Sequence, residues 1–318
     1  MRNASMLQLP LIINLGVFRG ACACSCVHCP VGLRVPKERA AQFGRAEISL
    51  DLFRRYCSEV REIETTTRLH AVGEPTLHSH FTILLNTIRE YHLQQKFWLF
   101  TCGVFEPSLA AQLIDSLGII EVSINSTSRE DYLRTKGVDR FDSVVRTVTA
   151  MRDLAAQRGL QTRIILTRVA SDDSLDEQFV SYWRSRGFEC FVRSYHSYSG
   201  MLVRLTRSAP VGEDTPPKCL VPWRRLNLDG TIVPDRILAV VCFNMLFCHP
   251  NAVDPKAILG DFPRASLIDL WNNASFDRFR RTLQCGESTF TSCDACTECL
   301  VDRGPRAEDV TQKGVEKC

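Results

Sequence analysis

The sequence predicts an α/β chain in which parallel strands alternate with helices, followed by a small second domain. Three observations predict it. Short β-rich runs and amphipathic helical stretches alternate six times over the first two thirds of the 318 residues. The residue types that carry chemistry recur just after those strands. Beyond Gly200 the texture changes to turn-rich sequence with a second set of cysteines.

The first strand is read over Leu11–Val17, and Leu50–Ile63 follows with apolar residues at helical spacing. Arg68–Val72 is the second strand, with a helix near His80–Tyr91. Phe97–Thr101 is the third; the helix after it runs from about Pro107, where proline suits a first turn, to Leu117. Ile119–Asn125 is the fourth, followed by a helix at Phe141–Gln157 that ends near Gly159. Thr162–Val169 is the fifth, with a helix at Leu175–Ser185 closed by Gly187, and Phe188–Arg193 is the sixth. Successive parallel strands require right-handed crossovers. Six such units give a partial (β/α)6 barrel of the TIM type, whose chemistry sits at the carboxyl ends of the strands. Ser208–Pro217 reads as a connector. The expected division is therefore a barrel over 1–200, a second domain over 201–300 and a polar, aperiodic tail over 301–318.

Hydrophobic content of 45%, charged content of 24% and a formal charge of +3 are those of an ordinary soluble globular chain. They give no sign of a nucleic-acid or membrane partner, and no apolar run reaches membrane-spanning length. A soluble, cytoplasmic protein is expected. The 15 cysteines are the outlier. They gather at Cys22–Cys29 and again from Cys219 onward, a distribution that reads as metal binding.

Cys22, Cys26 and Cys29 stand as C-x3-C-x2-C directly after the first strand. Three thiolates on one tight loop can hold three irons of a cubane [4Fe–4S] cluster and leave the fourth open to a small molecule. Structural zinc is the alternative, but it favours two Cys-x2-Cys knuckles and this loop has one. A disulfide framework belongs to small secreted domains. Cys24 is spare in this reading, a small buried thiol. Cys57 and Cys190 are assigned to packing, whereas Cys102 stands at a strand end near the proposed site.

The cysteine spacing after a strand resembles the radical SAM superfamily, in which the open iron binds the amine and carboxylate of S-adenosylmethionine (SAM). His28 stands where that family usually has an aromatic residue. Gly73-Glu74-Pro75, after the second strand, resembles the family's GEP segment, which implies that Glu74 and the backbone meet the SAM amino group. Thr101-Cys102-Gly103 stands where the family often has Thr-Asn-Gly. Ser123 and Asn125 occupy positions that lie near the ribose and carboxylate in relatives, and they read equally well as simple strand-end hydrogen bonders. Arg163 or Arg168 could pair with the carboxylate.

From Lys218 to Cys299 the order also resembles a family feature. Cys219 precedes a hairpin turning near Asp229-Gly230, then come Cys242 and Cys248, Leu259–Phe262, a helix led by Ser266–Asn272, and Cys293, Cys296 and Cys299. This resembles the SPASM extension or its shortened form, twitch, which bind auxiliary [4Fe–4S] clusters. The resemblance implies one such cluster on Cys219, Cys242, Cys293 and Cys296, hence two [4Fe–4S] clusters in all. Pro234 is followed by Asp235 where the pattern has cysteine, so Cys248 competes with Cys242 for the ligand role. A zinc knuckle of Cys293, Cys296 and Cys299 with Cys219 is the alternative reading.

Size, the auxiliary set and a spare Cys248 most resemble the aminoglycoside epimerases of the neomycin C to neomycin B type. Cys248 would then be the catalytic hydrogen donor, or else a buried structural thiol. Two other activities fit the architecture: an aminocyclitol or sugar-alcohol dehydrogenase that passes an electron to the auxiliary cluster, and a peptide-modifying maturase. All three imply an electron-donor partner of the flavodoxin or ferredoxin type.

Overall fold

A computed structural model describes residues 9–196, 198, 201–202, 219, 221–247, 253–284, 290 and 293. In chain order the elements are β1 (Ile12–Arg19), α1 (Pro36–Phe43), β2 (Ala46–Glu47), α2 (Leu50–Val60), β3 (Thr66–Val72), α3 (Phe81–Glu90), β4 (Phe97–Thr101), α4 (Ser108–Ser116), β5 (Ile119–Ser123), α5 (Arg129–Lys136), α6 (Phe141–Gln157), β6 (Arg163–Val169), α7 (Asp173–Arg184) and β7 (Glu189–Arg193). They continue as α8 (Val221–Arg224), β8 (Arg225–Asp229), β9 (Ile237–Val240), β10 (Ile258–Phe262), α9 (Leu267–Trp271) and α10 (Ala274–Gln284).

The strands form one sheet in the order β10-β9-β8-β1-β3-β4-β5-β6-β7, with the short β2 antiparallel to β1. From β1 through β7 the ladder is parallel, which is the six-stranded partial barrel read from the sequence. The path is open: among the described residues no strand joins β7 to the far edge. The hairpin near Asp229-Gly230 forms as β8 and β9. Its first strand adds a finding the sequence did not give, since β8 lies parallel to β1 and makes the barrel sheet continuous with the hairpin. Among the described residues no helix is long and apolar enough to cross a membrane.

Alternation along each strand separates two cores. Ile13, Leu15, Val17, Leu99, Ile120, Val122, Ile164 and Leu166 share the outer cluster with residues of the covering helices, such as Phe53, Leu84, Leu113, Val148 and Trp183. Ile12, Trp98, Ile119 and Ile165, their odd-even counterparts, pack into a separate cluster at the amino ends of the strands and floor the barrel. Burying each such large side chain is worth about 1.5–3 kcal/mol. Higher up, the inward positions turn polar. Asn14 donates to Asn227 at 2.9 Å, and the wholly buried Glu121 accepts from Arg193 at 2.6 and 2.5 Å. Polar pairs thus stand directly above the apolar floor, and a second apolar cluster of Val31, Phe43, Val72, Val240, Leu246 and Phe247 packs at the carboxyl ends of the strands.

Candidate active site

The loop from Ala21 to Arg34 leaves β1 and is fastened from three sides. Arg39 of α1, 2% exposed, donates to the carbonyls of Cys22 (2.7 Å) and Arg34 (3.1 Å) and to Ser25 Oγ (2.7 Å). The carboxyl end of α5 accepts from the loop as if the helix continued, with Ser25 N–H on the Lys136 carbonyl (2.8 Å) and Val27 N–H on that of Thr135 (3.1 Å). Gly137 ends that helix in the left-handed region at φ 67°, and a Cβ there would stand 2.8 Å from the Ser25 carbonyl oxygen. Glu74 N–H donates to the Ala21 carbonyl (2.8 Å), so the β3 end closes the third side.

These restraints bring the thiols together. Cys24, Cys26 and Cys102 are buried in one cluster, with Cys22 and Cys29 packed against it. Sulfur atoms of Cys22 and Cys102 and a carboxylate oxygen of Glu74 all lie within 4.8 Å of one another. Hydrogen bonds from Cys102 and Cys24 hold the Cys22 thiol down to about 5. Cys26 is pushed up to about 11 by its bond to Cys24 and by burial, and burial pushes Cys29 up to about 11. A metal ion taken up at those two thiols would displace their protons. Beneath the cluster lies the Lys136 amine, 1% exposed, donating to the Ser123 carbonyl at 2.6 Å. Burial opposes its charge, but the negative charge of Cys26, Cys24 and Cys102 as thiolates outweighs that and holds its pKa above the ordinary lysine value. A tight loop carrying four thiols, three of them at C-x3-C-x2-C spacing, over a buried ammonium fits an anionic iron–sulfur cluster.

The other expected residues fall in different places. Glu74 is 2% exposed and its carboxylate is engaged: Oε1 accepts from Thr101 Oγ1 (2.7 Å) and Thr76 Oγ1 (2.9 Å), and Oε2 from the Cys102 N–H (2.7 Å). It therefore couples the ends of β3 and β4, beside the cysteine loop. Pro75 opens the single turn that follows. Ser123 closes β5. Asn125, at φ 62°, has its amide nitrogen 2.8 Å from Ser123 Oγ and 3.4 Å from His28 Nε2, which ties β5 to the cysteine loop. Arg168 backs this arrangement: it donates to the Asn125 carbonyl, to Asp176 at 2.8 Å and to Ser171 Oγ at 2.7 Å, and approaches Asp131 at 3.2 Å. Every nitrogen of its guanidinium is engaged, so it serves as a buttress. Arg163 is not brought to the site. It opens β6 at the opposite end of the strand and pairs with Glu189.

Cys219 and Cys242, both half-buried, flank the β8–β9 hairpin, and Cys293 follows α10; Cys242 and Cys293 pack against the main core. Cys248, Cys296 and Cys299 lie outside the described residues. Cys57 and Cys190 are buried in α2 and β7, among apolar neighbours. An open cavity of about 580 Å³ runs along Thr76–Thr82 and Val104–Gln112 on the rim, and meets the thiol cluster through Val104. Sequence reasoning missed Arg39, Lys136 and the His28–Asn125 contact; their signal was a charged or polar side chain that the fold buries.

Gly73 is the tightest point of the β3 turn. Its φ is 146°, and a Cβ would stand 2.3 Å from the Ala21 carbonyl oxygen, the one that Glu74 N–H binds. Gly73→Ala should cost about 1–3 kcal/mol through backbone strain alone and displace the start of the cysteine loop. A lower denaturant midpoint together with reduced iron retention after reconstitution is the expected result.

No protein-family model matches the chain, and no curated protein matches it. Solved structures do. BtrN in complex with AdoMet and 2-DOIA is similar over 91% of this chain and 93% of that one, with 14% identity and a TM-score of 0.54. Streptococcus suis SuiB bound to S-adenosylmethionine is similar over 95% and 74%, at 12% identity and a TM-score of 0.62. The chain anSMEcpe with bound AdoMet and Cp18Cys peptide is similar over 92% and 91%, at 14% identity and a TM-score of 0.57. At these identities the likeness is one of fold: a partial barrel shared with chains solved with AdoMet bound.

Proposed function

We propose that this chain is a radical SAM enzyme. Cys22, Cys26 and Cys29 hold three irons of a [4Fe–4S] cluster, and Gly73, Glu74, Pro75, Thr101, Ser123 and Asn125 form the SAM side of the site. The observation that carries this reading is the gathering of those thiols at the carboxyl ends of parallel strands, over a buried ammonium and against the Glu74 carboxylate. When bound, cluster and SAM together supply a 5′-deoxyadenosyl radical able to break an unactivated C–H bond. The chain contributes position. Arg39 and the end of α5 fix the cysteine loop, Glu74 fixes Thr101 and Cys102, and Arg168 fixes Asn125. Holding reactants in one geometry is where a protein adds most to such chemistry.

At finer resolution the reading is an epimerase acting on an aminoglycoside of the neomycin C to neomycin B type. In this reading the bound cofactors would remove a hydrogen atom from a substrate C–H, and the Cys248 S–H would return one to the opposite face of that carbon. Cys219, Cys242, Cys293 and Cys296 would hold an auxiliary cluster, whose chemistry would be to supply the one electron that, with one proton, restores the Cys248 thiol. A flavodoxin or ferredoxin-type donor would feed the system in the cytoplasm. The second reading is a dehydrogenase, in which the auxiliary cluster would take up the electron that the substrate radical gives up as it loses a proton. The fold match to BtrN with AdoMet and 2-DOIA supports a small-molecule substrate for either reading, and the match of equal cover to anSMEcpe with Cp18Cys peptide supports the peptide-modifying alternative.

Anaerobic turnover in deuterium oxide with reconstituted protein, SAM, dithionite and neomycin C separates these readings by mass spectrometry. The expected product is an isomer of neomycin C carrying one deuterium, since a thiol exchanges with solvent. A product lighter by two hydrogens would replace the epimerase by the dehydrogenase. Deoxyadenosine with unchanged neomycin would discard the substrate, and no deoxyadenosine with any added substrate would discard the radical SAM reading itself.

A further inference from the structure

Lys136 is the last residue of a helix with little apolar surface, yet its side chain is almost wholly buried. The cause is the cysteine loop. By docking its amides on the Thr135 and Lys136 carbonyls, the loop roofs the helix end and traps the side chain beneath it. From there the amine reaches inward to the last carbonyl of β5, that of Ser123. One carbonyl satisfies one of three N–H donors and none of the charge. An ammonium out of water needs an anion nearby, because its desolvation is costly unless it is paired.

The groups that face it come from four elements. They are Cys24 and Cys26 of the loop, Cys102 at the end of β4, Tyr132 one turn back on α5, and the β5 carbonyl. No carboxylate pairs with it among the described residues. Protonated thiols and a phenol supply no negative charge, whereas three cysteinates on an iron–sulfur cube do.

We propose that Lys136 is the fixed counter-charge of the cluster held by Cys22, Cys26 and Cys29, and that it raises the potential at which this cluster accepts an electron. The inference rests on the cluster reading above and goes beyond it. Reduction adds one negative charge to the cluster and moves no proton; the electron comes from a low-potential one-electron reductant. A positive charge sealed in a low-dielectric site beside the cluster favours the reduced state more than the oxidised one. Lys136 is accordingly a positioning and tuning residue that acts through the cluster.

The test uses the full-length chain reconstituted anaerobically with iron and sulfide, as wild type and as K136R, K136M and K136Q. Iron and sulfide content and an EPR-monitored redox titration are read on each, with dithionite as reductant. K136R should keep the wild-type potential. K136M and K136Q should load iron, but their ratio of reduced to oxidised cluster at a fixed potential should fall at least tenfold, equivalent to about 59 mV for one electron. Neutral variants that fail to load while K136R loads would equally support a required counter-charge. Fully loaded neutral variants with an unshifted ratio would overturn the proposal, as would failure of all three variants, which would make the lysine side chain a packing element. Wild-type protein that takes up no cluster would overturn the underlying cluster reading, whatever the variants do.

Discussion

Cys26→Ala is expected to bring deoxyadenosine formation down to background and to remove the iron of the first cluster, while Cys24→Ala keeps both. The two residues sit two positions apart, are both buried and belong to one thiol cluster, so burial and composition do not distinguish them. The difference lies in backbone placement. Cys26 is gripped by the turn that follows: Cys29 N–H donates to its carbonyl at 3.3 Å, and a Cβ on Gly32 would stand 2.4 Å from both its nitrogen and its carbonyl oxygen. That turn presents Cys26 and Cys29 together, which a ligand pair on one cluster requires. Cys24 instead turns back on Cys22, its N–H lying 3.4 Å from the Cys22 sulfur. Truncating one small buried thiol costs on the order of 1 kcal/mol in fold stability. The loss in Cys26→Ala is therefore chemical, and a retained thermal transition alongside absent iron would show it. Iron loss in Cys24→Ala equal to that in Cys26→Ala would mean a different ligand set.

The strands and helices with strong periodicity were legible from the sequence. Phe97–Thr101 and Phe141–Gln157 form over the expected residues, because a strand of large apolar residues and a long amphipathic helix each carry many consistent positions. α1 and α5 carried no such signal. Their sequences, PKERAAQF and REDYLRTK, are mostly polar, and what holds α5 is local: Ser128 caps it by accepting from Asp131 N–H, and Gly137 ends it. Those two helices supply Arg39 and Lys136, so the supports of the site were hidden by the same polarity that makes them useful. The ligand loop was readable because cysteine spacing is a direct chemical signal. Arg163 illustrates a different failure. It stands five residues before Arg168, about 16 Å along a strand, so the two could not serve the same end of the sheet.

Arg19→Met is expected to cost about 3–5 kcal/mol, the penalty of leaving a buried charge without its partner. Arg19 and Asp229 are 1% and 0% exposed and 3.3 Å apart, at the junction where β8 lies against β1. The pair is backed by further bonds. Arg19 donates to Thr231 Oγ1 at 3.1 Å and to the Leu246 carbonyl at 2.8 Å, and Asp229 accepts from the Thr231 N–H at 2.8 Å. Packing leaves no slack, since a Cβ on Gly16 would stand 2.5 Å from the Asp229 carboxylate. Asp229→Asn keeps an acceptor for Thr231, so the double variant Arg19→Met with Asp229→Asn should be less destabilised than the sum of the single changes; urea midpoints read the coupling. Additive losses would show that the two charges do not act as a pair. The same residue has a functional reach. Arg19 closes β1, whose continuation is the cysteine loop, and its bond to Leu246 holds the turn at Phe243–Phe247 that leads toward Cys248. Under the epimerase reading, loosening that turn should leave deoxyadenosine formation largely intact while lowering the epimer formed per deoxyadenosine, because the first depends on the cysteine loop and the second on the donor thiol. Equal losses of both would place the effect of Arg19 on the cluster side alone.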